Sequence, residues 1–259
     1  MPRIARARAA PGSTGASGRP GGSATADQGR FFEAVASHAG SAYLRYSFTR
    51  GTDQEVAFLL DALGLQPGHR LLDVGCGPGR HAAVLAEAGL DVVGVDIAHD
   101  FLAIAARSIP ASSFVRADAR LLPVAGVFDA AISLCQGGFG LTGDDDGEVL
   151  RQMAAATRPG GRVAFTAFSA YFAVRFIEDT DTFDAASGVN HEVAAVKNPD
   201  GEERSFDLWT SCFTPRELRL LCELAGLRVD HIWSVNPGAY ARTVPDLDHP
   251  EYLVASTKL

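Results

Sequence analysis

Three carboxylates and a run of glycines in the first half of the chain are the residues most suited to chemistry. Asp73 opens a D-x-G-x-G-x-G pattern with Gly75, Gly77 and Gly79, and two further acids, Asp96 and Asp118, follow at the ends of apolar runs. Glycines at this density let a backbone turn sharply and come close to a ligand. A dinucleotide loop, G-x-G-x-x-G, would want a third glycine where Arg80 stands, and Pro78 has removed one of the N–H groups that hold a pyrophosphate. A carboxylate at the mouth of the turn suits a cationic ligand better than a diphosphate.

The elements that would position these groups can be read around them. Leu71, Leu72 and Val74 form a short apolar run, and Ala82 to Ala88 alternates small and apolar residues at helical spacing, so the stretch reads as strand, tight turn, helix. Val92–Asp96 and Phe114–Asp118 are two more strands, each ending in its acid. Phe128–Cys135 is a fourth, and Arg158–Thr166 is a turn leading into a fifth.

Asp73 to Gly79, followed in order by these strands, resembles the cofactor loop and sheet of class I S-adenosylmethionine-dependent methyltransferases, over roughly residues 52 to 259. The resemblance implies an α/β fold: a Rossmann-like, doubly wound, seven-stranded sheet with an antiparallel last strand. It implies S-adenosylmethionine as cofactor and S-adenosylhomocysteine as product. Asp96 would grip the ribose hydroxyls and Asp118 would meet the adenine amino group. Tyr46, Asp73, Gly75, Cys76, Gly77, Arg80, Ile97, Ala119, Cys135 and Gln136 would complete the cofactor site. These motifs report the cofactor far more than the acceptor.

With 259 residues, 47% of them hydrophobic, the chain is long enough for one α/β domain with a full core. Residues 1–27 are rich in Gly, Ala, Ser and Pro and read as a disordered tail, leaving 28–259 as a single domain. The first 30 residues hold five arginines against Asp27, so of the net charge of −8 the remainder carries −12. That surface is poor for gripping a polyanion, so no nucleic-acid partner is expected. No apolar run approaches the ~20 residues that span a bilayer. The four cysteines show neither metal nor disulfide spacing. No metal is expected, and the natural reading is a cytoplasmic protein, monomeric or homodimeric.

Residues 28–64 form an aromatic-bearing helical lid, in which Thr52 and Glu55 read as a capping box. Asp144, Asp145 and Asp146 precede the helix from Glu148 and suit its dipole. Residues 168–213 are an insertion after strand five, a hairpin about Asn198-Pro-Asp-Gly201 that should cover the active site. The late segment Asn236–Pro250, with Tyr240, reads as a long connection bordering the pocket. The acceptor pocket is therefore expected from Tyr43, Phe139, Phe168, Tyr171, Phe172, Trp209 and Tyr240, with His191 as the general base. The function read from this is methyl transfer to a small-molecule acceptor of biosynthetic or secondary metabolism. Transfer to RNA or protein, and a non-catalytic S-adenosylmethionine-binding module, stand as alternatives.

Overall fold

The structure, a computed structural model, describes residues 30–259; the expected tail at 1–27 lies outside them. Strand β1 (Arg70–Val74) is the centre of the sheet, flanked in parallel by β2 (Asp91–Asp96) and β4 (Phe128–Ser133). Beyond β2 lies β3 (Ser113–Arg116), and beyond β4 lies β5 (Thr157–Ser169). β11 (Glu251–Lys258) inserts antiparallel between β5 and β9 (Leu227–Asn236). The order β3-β2-β1-β4-β5-β11-β9 reverses direction of growth at β1 and β4, and it is there that the carboxyl ends of the strands open a crevice.

The seven expected strands are joined by others. Asn236-Pro237-Gly238-Ala239 is a tight corner, with Gly238 at φ 77°, and it returns the chain as β10 (Ala239–Thr243) on the edge of β9. The expected long connection is thus partly a strand, because Pro-Gly pre-sets the dihedrals of a tight turn. In the insertion, β7 (Val189–Lys197) and β8 (Glu203–Phe213) form the hairpin, with β6 (Thr182–Asp184) on its outer edge. β8 meets the end of β5 in parallel through Phe168–Cys212 and Ser169–Phe213.

Each face of the sheet buries one set of alternate side chains. Leu72, Val74 and Val163 pack on the side of α5 (Asp146–Ala156) and α7 (Pro215–Leu224). Leu71, Val92 and Leu253 pack on the side of α2 (Thr52–Leu63) and α3 (Arg80–Glu87). A third apolar cluster stands above the strand ends. Helix α1 (Phe31–Ala39) lays Phe31, Val35 and Ala36 against Phe206 and Leu208 of the hairpin, and against Phe101 of α4 (His99–Ser108). Lid and insertion therefore form one roof.

The capping box at α7 is present, with Thr214 Oγ1 accepting from the Glu217 amide and Glu217 accepting from the Thr214 amide. The box expected at α2 is not. Gly51 precedes that helix, Thr52 donates its hydroxyl to the Thr49 carbonyl, and Glu55 turns inward to become fully buried. A charged partner in the core outbids a helix-end amide for that carboxylate.

Candidate active site

The turn after β1 is built against β2. Gly75 and Cys76 donate their amides to the Val95 carbonyl at 2.7 and 3.0 Å, and Gly77 donates to Asp96 Oδ2 at 2.7 Å. Asp96 Oδ1 accepts the Ala98 amide at 2.7 Å, so both carboxylate oxygens are aimed by backbone and each keeps a free lone pair. A Cβ on Gly75 would fall 1.9 Å from the Gly137 backbone, so only glycine fits where the loops after β1 and β4 cross. That second loop bends at Cys135 and Gln136, both at positive φ of 52° and 60°. Two non-glycine residues there hold strain of order 1–3 kcal/mol each. Gln136 Nε2 ties the loop to the roof by donating to Thr210 Oγ1 at 3.0 Å.

Three neighbouring cavities follow from this geometry, and Phe32 of α1 lines all three. The first runs past Gly75, Asp96, Ile97, Asp118, Ala119 and Gly138. The second runs past Cys76, Gly77, Arg80, Tyr43, Phe101 and Cys135. The third lies under the roof, between Tyr43, Gln136, Phe168 and Phe172 on one side and Asn190, Glu192, Leu208 and Thr210 of the hairpin on the other; Glu251 also lines it.

The acids respond to burial. Burial pushes Asp73 up to about 7, with Arg80 pulling it down and Asp96 pushing it further up; its Oδ2 has no partner. Burial raises Asp96 to about 6 against the hydrogen bonds from Ala98 and Gly77. Asp118 differs, because hydrogen bonds from Arg120 hold it below the usual carboxylate range. Arg120 contacts both of its oxygens, at 2.7 and 3.0 Å.

Beneath the second cavity Arg80 donates to Glu55 at 2.6 Å, Thr52 at 2.8 Å and Cys135 Sγ at 2.8 Å. Glu55 also holds His81 Nε2 at 2.8 Å and the Gly238 amide at 2.7 Å. Burial and the Arg80 charge drive His81 down to about 4, so it is neutral and carries its proton on Nε2. For Glu55, burial raises the carboxyl, but the hydrogen bond from His81 and the Arg80 charge outweigh it and leave it lowered. Burial pushes the Cys135 thiol up to about 12, so it is no nucleophile. Glu55, His81 and Cys135 are the one set among the described residues whose donor atoms lie close enough for a metal, within 4.8 Å. The Arg80 guanidinium already binds two of them, and a cation there would sit against a fixed positive charge.

Several expected site residues are placed elsewhere. His191 pairs across the hairpin with Trp209, the rings stacking at 4.7 Å, and His191 Nε2 meets Asp207 at 2.9 Å. The hairpin residues lining the cavity are 190, 192, 208 and 210, so the pleat puts His191 and Trp209 on the opposite face. Phe139 turns into the core, stacked on Phe213 at 4.9 Å. Tyr171 is 45% exposed on the outer side of α6 (Ala170–Arg175), one helical step away from Phe172. Tyr240 is buried behind the cavity wall, beside Cys135 and Glu55, and its backbone is clamped by the Gln54 side chain. Tyr46 accepts the Lys197 amide at the hairpin turn, away from the cofactor loop. Phe32, Glu192 and Glu251, which line the cavities, and Glu55, which holds Arg80 and His81 beneath them, are positions the sequence did not single out for the site. For Glu55 the signal was present and took a helix-cap meaning.

With this geometry in place, the chain can be compared with known proteins. Residues 71–161, from β1 into β5, match the Methyltransferase domain family. A stretch of the chain is 42% identical over 112 residues to a demethylmenaquinone methyltransferase of Beutenbergia cavernae, covering 42% of this chain and 45% of that one. The CcbJ methyltransferase from Streptomyces caelestis superposes with a TM-score of 0.66 at 20% identity, over 80% of this chain and 90% of its own. Residues 71–161 are thus those of a methyltransferase domain, and the chain has the fold of solved S-adenosylmethionine-dependent methyltransferases. Another methyltransferase of this fold is CalS10 from Micromonospora echinaspora, an amino pentose methyltransferase with S-adenosylmethionine bound; its TM-score is 0.59 at 22% identity, over 85% of this chain and 96% of its own. The chain spans about half the length of the curated methyltransferases it matches. Among the described residues no helix is long and apolar enough to cross a membrane.

Proposed function

We propose that this protein transfers a methyl group from S-adenosylmethionine to a small-molecule acceptor. The single observation that carries the reading is the sequence of three adjoining cavities along the strand ends, with Asp96 lining the first two and a roofed chamber that includes five aromatic residues as the third. The residues fit the cofactor. Asp73 is a buried acid with an unpartnered oxygen, which calls for a cationic donor, and Asp96 offers two fixed acceptor oxygens for a diol. When bound, the cofactor supplies an activated methyl on sulfur.

The chain's own residues then position, orient and exclude water. Positioning alone contributes roughly 7 to 11 kcal/mol in the best intramolecular reactions. Tyr43 sits in both the second and third cavities, with its ring 4.7 Å from Phe101, and Phe32 closes over it from α1. The roof over the chamber supports a small molecule rather than a nucleic-acid strand as acceptor. The curated relatives support the same class: the names of three are demethylmenaquinone, ubiquinone-biosynthesis and malonyl-[acyl-carrier protein] methyltransferases.

Isothermal calorimetry tests the reading. S-adenosylhomocysteine should bind and NAD should not. Asp96→Ala should weaken S-adenosylhomocysteine by about 1.5 to 3 kcal/mol, the contribution of hydrogen bonds to a charged group. Unchanged affinity in that variant would remove Asp96 from the ribose site.

A further inference from the structure

Glu251 is a buried acid to which the cofactor reading gives no part. It begins β11, paired with Phe168 on β5 and Val235 on β9, and is 3% exposed at the end of the third cavity. The Thr166 hydroxyl donates to it, having itself accepted the Cys135 amide at 2.8 Å. Its Oε2 has no partner. A carboxyl oxygen left bare in a buried site loses a full hydrogen bond relative to water, so the fold retains it at a cost.

The rest of the chamber says what would meet it. Asp181 and Glu192 line the same cavity, and among its described lining residues there is no lysine, arginine or histidine. Three carboxyls and no cation disfavour an acceptor that carries a carboxylate or phosphate and favour one that carries a basic nitrogen. The aromatic walls, Phe32, Phe168 and Phe172, suit both an apolar body and a cationic head.

We propose that Glu251 is the catalytic base of this site and that the acceptor is a small molecule presenting a basic amine to it. The inference rests on the methyltransferase reading above. The amine arrives as an ammonium and gives a proton to the Glu251 carboxylate. Its freed lone pair attacks the methyl carbon, the carbon–sulfur pair stays on sulfur, and the new methylammonium carries away the positive charge that the sulfonium brought. Glu251 ends the turnover protonated, as it began, so the one proton released per turnover is the one it loses to water when the ammonium docks. Burial, with Glu55 adding to it and Arg80 and Thr166 opposing it, raises the Glu251 carboxyl to about 8, close to working pH as a general base requires. The other titratable groups facing it are Cys135 and Tyr240 from behind, and Asp181 and Glu192 across the chamber.

Three probes of one shape decide the matter on protein saturated with S-adenosylhomocysteine: phenethylamine, 2-phenylethanol and 3-phenylpropionate. Calorimetry at pH 7 in two buffers of different ionisation enthalpy gives both affinity and proton release. The amine should bind at least tenfold tighter than the alcohol and release close to one proton, because Glu251 ionises when the ammonium docks; the carboxylate should bind least. Glu251→Gln should lose the proton release and weaken the amine tenfold or more while keeping the affinity for S-adenosylhomocysteine. An amine that binds no tighter than the alcohol, or proton release that persists in Glu251→Gln, would overturn the assignment. Failure to bind S-adenosylhomocysteine would instead strike the methyltransferase reading itself.

Discussion

At the scale of single residues the site depends on Glu55, which holds Arg80, His81 and the Gly238 amide together. The Arg80 and Glu55 side chains are 10% and 0% exposed, so their charges are desolvated and stand only because each neutralises the other. Breaking one partner of a buried pair typically costs about 3 to 5 kcal/mol, since the survivor is left as an uncompensated charge. Glu55→Gln should therefore lower Tm by on the order of 10 °C, at roughly 2 to 4 °C per kcal/mol for a protein of this size. Differential scanning fluorimetry reads it directly. A change under 2 °C would mean that Arg80 finds another acceptor. His191 makes the opposite case. Held by Asp207 on the far face of the hairpin, it should be replaceable by alanine with turnover changed less than about twofold.

At the scale of elements the lid is also tied to the β9–β10 corner by close backbone contact. Gly51, before α2, and Gly238, in the β9–β10 corner, cross so tightly that a Cβ on Gly238 would lie 2.4 Å from the Arg50 carbonyl oxygen. Gly238 also stands at φ 77°, where an L side chain is strained. Gly238→Ala should push the corner away from the lid, cost about 1 to 3 kcal/mol, and remove the Gly238 amide from Glu55. Hydrogen exchange would show the result as faster exchange in residues 43–55 together with 236–243. Loss confined to the corner would mean that the lid is held by α1 and the hairpin alone.

At the scale of the whole molecule the balance of buried acids gives stability a sign with pH. Glu251, raised from 4.5 to about 8, and Asp73, raised from 3.8 to about 7, both bind protons more tightly folded than unfolded. Their contributions are complete below the unfolded values and are lost as pH rises through the folded ones. His81, lowered from 6.5 to about 4, acts the other way, but only below pH 6.5. Between pH 6.5 and 8.5 the ligand-free protein should therefore lose stability, by roughly 2 kcal/mol or about 4 to 8 °C in Tm. Glu251→Gln should flatten most of that slope. A Tm that stays level or climbs over the same interval in the wild-type chain would show these carboxyls already ionised in the fold.

What the sequence by itself determined is what contiguous residues encode. Asp73 to Gly79 states its turn because positive-φ glycines and a strand-end acid lie within seven residues, and Asp96 and Asp118 announce themselves by ending β-branched or apolar runs. From these the strands that carry the acids and the likeness to methyltransferases follow locally. The tertiary structure decided which way side chains face and how deeply charges are buried. Alternation along β7 showed that His191 and Glu192 point apart, but only the packing of Phe206 and Leu208 against α1 fixed Glu192 as the inner one. Glu55 fitted a helix cap until Arg80 and His81, from another element, arrived beside it. Glu251 gave no signal in the sequence beside Pro250, and it became a buried acid with a bare oxygen only when β5 and β9 flanked it. Burial changes the free energy of a charge by several kcal/mol and is a sum over distant segments.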